Sequence, residues 1–268
     1  MKYTHSFSII TINLNNAAGL EKTINSIVNQ TLKNFQYIII DGGSTDDSLK
    51  VIERYKSKIH CYISEKDSGI YNAMNKGILK ASGEYSLFLN SGDHFVNNEV
   101  LQSFTDGNYT ADIITGGTVV SNHHKSEVVK APEKISFYTF YKHTIQHQAT
   151  FIRTNLFKEI GFYNERLKIV GDWEFFVRAF ALHKATYQPS PLIISSINAN
   201  GISSMPKNAI ICKTERESVM KEHFELFLPD YELLNDPAKY NFIYNLQKYP
   251  LLNSIFHFIF RVINRLVR

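Results

Sequence analysis

The sequence predicts an α/β fold: a mostly parallel central sheet with helices on both faces, followed by a helical C-terminal appendage. Three observations predict it. Short β-branched apolar runs alternate with stretches of helical periodicity at the spacing of βαβ units. The early runs stop abruptly at polar turns, and from about Met205 onward the pattern becomes helical, linked by Pro229, Pro237 and Pro250. At 268 residues, 44% hydrophobic and 20% charged, the chain has enough apolar side chains to close a full core, which excludes a disordered or disulfide-built scaffold.

The elements follow in order. Phe7 to Asn13 (FSIITIN) reads as a buried strand and Asn15 to Gly19 as a loop. Leu20, Ile24, Ile27 and Val28 recur at helical spacing, so a helix is expected from about Leu20 to Gln30. Phe35 to Ile40 (FQYIII) is a second strand, which runs into the turn Asp41-Gly42-Gly43-Ser44-Thr45-Asp46-Asp47. Thr45 is the expected N-cap of the next helix, whose apolar face is Leu49, Ile52 and Tyr55. Cys61 to Ser64 is a third strand, Ile70 to Leu79 a helix, and Tyr85 to Leu89 a fourth strand that ends at Asn90-Ser91-Gly92-Asp93. A mixed sheet is expected beyond Val96, with strands at Asp112 to Val120, Val128-Val129 and within Ile145 to Arg153. Asp172 to Leu182 reads as a helix with Phe175, Phe176 and Ala179 inward.

Composition narrows the function classes. Two cysteines, Cys61 and Cys212, build no disulfide framework and suit a reducing compartment. The N-terminus lacks an apolar segment of signal-peptide length, and no window reaches the ~20 apolar residues of a spanning helix. A cytoplasmic location is expected. The net charge of +4 is too small to argue for nucleic acid as a partner. Dinucleotide, Walker A, G-x-S-x-G and Cys-x-x-Cys motifs are absent.

Ligands of open parallel sheets bind beyond the carboxyl ends of the strands, where this sequence puts Asn13, Asp41 and Asp93, with Asp67 in the loop after the third strand. Any one of these is an ordinary turn residue. Together, in SIITINLNN, SIVNQTLKNFQYIIIDGGSTDDSL, SEKDSGIYNAMNKGILKASGEY and LFLNSGD, they resemble the nucleotide-binding half of the family 2 glycosyltransferases. The segment HQATFIRTNLFKEIGFYNERLKIVGDWEFFVRA resembles the acceptor side of the same family, and the likeness covers about Phe7 to Ile202. It implies a GT-A fold, Rossmann-like in its sheet, over residues 1–204. The nucleotide-binding half spans about 7–96, the acceptor half about 97–204, and a helical region fills 205–268.

The resemblance also implies roles. Asp41 would accept a hydrogen bond from the nucleotide base, commonly uracil, with Thr11 and Asn13 lining the base and ribose pocket and Asp67 a further nucleotide contact. Asp93 would hold Mg²⁺ or Mn²⁺ on the donor diphosphate, although Asn90 and Gly92 stand where the family often carries carboxylates. Asp172, in Val170-Gly171-Asp172-Trp173-Glu174, would be the general base, with Glu174 as the alternative and a helix N-cap as the other reading of Asp172. His147 and Trp173 stand near the expected donor sugar or acceptor. The reaction implied is inverting transfer of one sugar, a hexose or N-acetylhexosamine, from a nucleotide-sugar donor, UDP above others, to a glycan or lipid-linked acceptor. A nucleotide-sugar-binding subunit with weak catalysis and a sugar nucleotidyltransferase remain alternatives at this stage.

Leu251 to Arg268 reads LLNSIFHFIFRVINRLVR, an amphipathic helix with Arg261, Arg265 and Arg268 on its polar side. Two partners suit it: an anionic membrane surface, where each arginine contributes ~1 kcal/mol, or protein, including a second copy in a homodimer.

Overall fold

The computed structural model describes residues 3–122, 125–199, 201–202, 205–234, 249, 252–256 and 258–259. The chain divides into two compact units, Met1–Glu215 and Arg216–Arg268, so the first unit runs past residue 204. It begins with β1 (His5–Asn13), α1 (Ala17–Val28), β2 (Phe35–Asp41), α2 (Ser48–Arg54), β3 (Cys61–Ser64), α3 (Ile70–Lys80) and β4 (Gly83–Phe88). It continues through β5 (His94–Phe95), α4 (Val100–Asp106), β6 (Ile113–Ser121), β7 (Ser126–Val129), α5 (Phe137–Lys142), β8 (Thr150–Arg153), α6 (Leu156–Ile160), α7 (Gly171–Val177) and β9 (Tyr187–Asn198). Then come α8 (Ala209–Phe224) and α9 (Leu228–Leu234).

Among the described residues the strands form one sheet in the order β3-β2-β1-β4-β8-β6-β9-β5, with β7 on β6. The first four pair in parallel, whereas β8 runs antiparallel to both β4 and β6. Strand alternation separates two layers. Ile9, Tyr37, Ile39 and Leu87 face a core shared with α1, α2 and α4, and α3 packs on β1 and β2 from the other side. Helices on both faces follow, as the sequence predicts.

Local chemistry moves some boundaries. The expected loop at Asn15 to Gly19 is already helix from Ala17, because Asn16 Oδ1 accepts from Gly19 N at 3.1 Å and Asp46 Oδ2 accepts from Ala17 N at 2.9 Å. Thr45 does not cap α2. Its N–H is bound by Asn15 Oδ1 at 2.8 Å, and Asp46 Oδ1 takes the Ser48 N–H at 3.0 Å instead. The expected Asp172 to Leu182 helix is α7 followed by a π-turn over Arg178–Leu182. Of the expected 251–268 helix, Leu252, Ile255, Phe258 and Ile259 are exposed and apolar. The three arginines lie outside the described residues.

Candidate active site

Strand register builds the nucleotide end. Asn13 of β1 stands beside Asp41 of β2, which stands beside Ser64 of β3. Asp41 is fully buried, and its two oxygens accept from four donors of the chain: Asn13 Nδ2 (2.8 Å), Ser44 Oγ (2.6 Å), Ser44 N (3.0 Å) and Ser64 Oγ (2.7 Å). Burial alone would raise its carboxyl, but the bonds from Ser44, Ser64 and Asn13 hold it below the ordinary carboxylate value. Asn13, turned by Asp41, keeps a buried Oδ1 with no hydrogen-bond partner among the described residues. Asp67 is held by Lys76 and lies against Gly42, where an added Cβ would come 3.0 Å from Asp67 Oδ2. Thr11 is not brought to this pocket. It lies one pleat below Asn13 with no exposed surface, and its Oγ1 accepts from the Tyr37 hydroxyl at 3.2 Å.

The reaction end begins at the turn after β4. Gly92, at φ +107°, permits a turn that α1 then clamps: Thr23 Oγ1 donates to Asp93 O at 2.6 Å and accepts from Gly92 N at 2.9 Å. Burial pushes the Asp93 carboxyl up to about 6, and His147 and Lys22 only partly offset it. The Gln148 side chain also favours the ionised form of this carboxyl. Its own Oε1, like Asn90 Oδ1, is buried without a partner among the described residues.

Asp172 lies in the first turn of α7, behind the N-cap Val170, so the cap reading does not hold. Both of its oxygens are engaged. Oδ1 accepts from the Tyr71 hydroxyl at 3.0 Å, and Oδ2 from His147 Nδ1 at 2.8 Å. Gly171 makes this possible, since a Cβ there would meet the Tyr71 ring at 2.8 Å. The carboxylate can only accept, so His147 carries its proton on Nδ1. Nε2 then faces the Asn90 amide, 3.4 Å away. One imidazole therefore connects Asp172 to the turn bearing Asp93. Burial opposes the charge on Asp172, but His147, the Trp173 N–H and Tyr71 bring its carboxyl below the ordinary value. His147 moves the other way: burial lowers it, and the charges of Asp172 and Asp93 raise it to a net upward shift.

The neighbours of Asp172 on the helix have other work. Trp173, expected near the sugar or acceptor, is 2% exposed and donates Nε1–H to Phe140 O at 3.0 Å, because its position on α7 faces the core. Glu174 is buried and paired with Arg178 at 2.6 Å, which removes it as the alternative base. Sequence reasoning missed Tyr71, Thr23 and Gln148. Their only signal was helical or strand spacing, which also fits core residues.

The residues around Asp93 fit a hard divalent cation. Among the described residues no three His, Cys, Asp or Glu side chains gather into a metal cage. What is present is one carboxylate and two unpartnered amide oxygens, a donor set of oxygen that suits Mg²⁺ or Mn²⁺ shared with substrate phosphates.

A sheet that is parallel in its first half and mixed in its second, with carboxylates at successive strand ends, is the arrangement of the GT-A glycosyltransferases that comparison with known proteins identifies. The sequence profile of glycosyl transferase family 2 matches residues 8–163, more than half of the chain, and the chain belongs to that family. A PGL/p-HBAD biosynthesis glycosyltransferase of Mycobacterium tuberculosis is 31% identical over 202 residues, 73% of this chain and 77% of that protein. Among solved structures, Staphylococcus aureus TarS 1–349 in complex with UDP-GlcNAc matches with TM-score 0.61 at 20% identity, covering 73% of this chain and 59% of that one. Mannosyltransferase PcManGT of Pyrobaculum calidifontis, in complex with GDP-Man and Mn²⁺, matches at 0.56 with 15% identity, over 72% and 57%. The chain thus spans about three fifths of these solved neighbours.

Proposed function

We propose that the protein transfers one hexose or N-acetylhexosamine from a UDP-sugar, with inversion, to a hydroxyl of a surface glycan or a lipid-linked acceptor. The observation that carries the reading is Asp172: an ionised carboxylate held by Tyr71 and His147 on the same imidazole that reaches the Asp93 turn. An acceptor hydroxyl is a poor nucleophile until a positioned base takes its proton. The acceptor oxygen forms the new bond to the anomeric carbon, and the bond to the diphosphate oxygen breaks with its electron pair on the leaving nucleoside diphosphate. The proton goes to Asp172. One base and one displacement invert the anomeric centre. Asp93, with Asn90 Oδ1 and Gln148 Oε1, would hold the cation, which supplies charge neutralisation to the departing diphosphate.

At the other end, Asp41 holds Asn13 through its Nδ2 and leaves Asn13 Oδ1 as an open acceptor, which suits the imide N–H of uracil and disfavours a base presenting an acceptor there. The TarS complex with UDP-GlcNAc supports the same donor class. Peripheral attachment to the inner face of the cytoplasmic membrane fits the exposed apolar residues at 252–259 and the arginines that follow in sequence. A thermal-shift panel of nucleotide sugars with and without Mn²⁺, followed by NMR of the product anomer, tests the reading. Selective stabilisation by UDP-sugars and an inverted anomer are expected. Release of pyrophosphate would assign a nucleotidyltransferase, and UDP binding with no transfer to any acceptor would assign a binding subunit.

A further inference from the structure

The segment leading into α7 carries an unusual set of contacts. The backbone N–H groups of three consecutive residues, Lys168, Ile169 and Val170, all converge on one carboxylate, that of Glu215 in α8. Lys168 N lies 2.6 Å from Oε1, and Ile169 N and Val170 N lie 3.1 and 3.2 Å from Oε2. On the other side, the Tyr71 hydroxyl donates to Ile169 O at 2.6 Å and to Asp172 Oδ1 at 3.0 Å. The peptide units on both sides of Ile169 are therefore fixed, one through its N–H by Glu215 and the next through its carbonyl by Tyr71. Val170 is the N-cap of α7, and Asp172 follows two residues later.

Bonds from backbone N–H to a carboxylate are charge-assisted, shorter and roughly twice as strong as neutral ones. Without Glu215 the three N–H groups have no other partner in α7, whose own ladder starts with Glu174 N donating to Val170 O at 2.9 Å. The turn would then relax, and α7 would rotate or shift with it. A displacement of about 1 Å at a reacting group costs on the order of 10²-fold in rate.

We propose that Glu215 is a positioning residue: its carboxylate fixes the 168–170 backbone so that Asp172 stands between His147 and Tyr71 in the geometry that accepts the acceptor proton. This rests on the reading of Asp172 as the base. It brings α8, which lies beyond the likeness seen in the sequence, into the catalytic apparatus.

The test is a double-mutant cycle on the full chain, with kcat at saturating donor and acceptor and with UDP affinity by calorimetry. Glu215→Ala is expected to lower kcat by ~10- to 10²-fold while leaving UDP affinity unchanged. Glu215→Gln, which keeps an amide oxygen to accept, is expected to recover part of the loss. In an Asp172→Asn background, Glu215→Ala is expected to lower the residual rate less than twofold, since no base remains to be positioned. Wild-type kcat in Glu215→Ala, or effects that simply multiply in the double variant, overturns the inference while Asp172 stands as the base. Parallel loss of UDP affinity also overturns it, because a general disruption of the fold would do that. If Glu215→Ala does not fold, Glu215→Gln carries the same cycle with the same criteria. An Asp172→Asn enzyme with full turnover would break the reading of the base itself, seen in that single variant, and the inference would fall with it.

Discussion

Asp41 and Asp93 are carboxylates at the carboxyl ends of β2 and β4, the two strands that flank β1, and the chain treats them in opposite ways. Asp41 is fully buried and saturated by four donors from β1, β3 and its own turn. Asp93 sits in a turn whose neighbours Asn90 and Gln148 keep buried oxygens without partners among the described residues. Hydrogen bonding holds the first carboxyl below its ordinary value, and burial drives the second up to about 6. The Asp41 carboxylate is thus satisfied before any ligand arrives, while Asn13 Oδ1 beside it keeps no partner among the described residues. The reaction end is left electrostatically incomplete, and a cation with its diphosphate is the group that would complete it.

Asp172 belongs to neither extreme, since it is ionised and fully engaged yet its partners are themselves reactive groups. Asp172→Asn should lower the transfer rate by ~10² to 10⁴ with donor affinity unchanged in calorimetry. Glu174→Gln should instead lower thermal stability, because it weakens a buried pair with Arg178, and leave turnover below the melting transition near wild type. A dead Glu174→Gln enzyme beside an active Asp172→Asn one would move the base.

Asp41→Ala strips four donors of their acceptor; the Asn13 amide is buried and its orphaning costs ~1 to 3 kcal/mol, whereas Ser44 is partly buried and Ser64 exposed, so their donors lose less. A loss of about 2 kcal/mol in unfolding free energy is expected, together with lost UDP binding. Ser64→Ala, which removes a single donor, should cost ~1 kcal/mol. If Asp41→Ala unfolds at the wild-type denaturant concentration, the contrast between the two ends fails.

Asp93→Asn should do the reverse and stabilise the ligand-free chain. A carboxyl whose folded pKa is raised penalises the folded state above that pKa, and the penalty is fully gone only below the unfolded value of 3.8. With the folded value near 6, the variant should gain ~1 to 3 kcal/mol at pH 7.5, and the gain should shrink as the pH falls to 5. The same variant should lack the further stabilisation that Mn²⁺ is expected to give in the presence of UDP. A lower melting temperature at pH 7.5 would show that Asp93 is satisfied in some other way.

The sequence shows the doubly covered sheet because β-branched runs such as FQYIII and helical spacing such as Leu20, Ile24 and Ile27 need no tertiary information. It shows Asp41, Asp93 and Asp172 because turns and helix starts place them. The network behind them is not legible in the same way. Tyr71 reads as a core aromatic on α3 and reaches Asp172 only because Gly171 leaves room for its ring. His147 and Asp172 lie 25 residues apart and meet through a 2.8 Å bond that no local spacing encodes. Thr45 fails as a cap for the same reason: Asn15, 30 residues earlier, reaches it first. The role that the family resemblance implies for Thr11 departs from the structure, where Thr11 lies one pleat below Asn13 on the same strand face with no exposed surface.

Thr11 therefore gives the smallest effect and a sharp one. Its hydroxyl accepts from the Tyr37 hydroxyl at 3.2 Å, both side chains are fully buried, and Asn13 and Asp41 follow on the same strand faces toward the carboxyl ends. Thr11→Val keeps the shape and removes the acceptor, which leaves the Tyr37 hydroxyl without that bond. The expected cost is ~1 kcal/mol of stability, read from the denaturant midpoint, with UDP affinity within twofold of wild type. If Thr11 lined the base pocket, the order would invert, and calorimetry would show lost affinity at unchanged stability. That outcome would mean the floor of the nucleotide end opens when a ligand enters, and the contrast between the satisfied carboxylate of Asp41 and the unsatisfied one of Asp93 would hold only for the ligand-free chain.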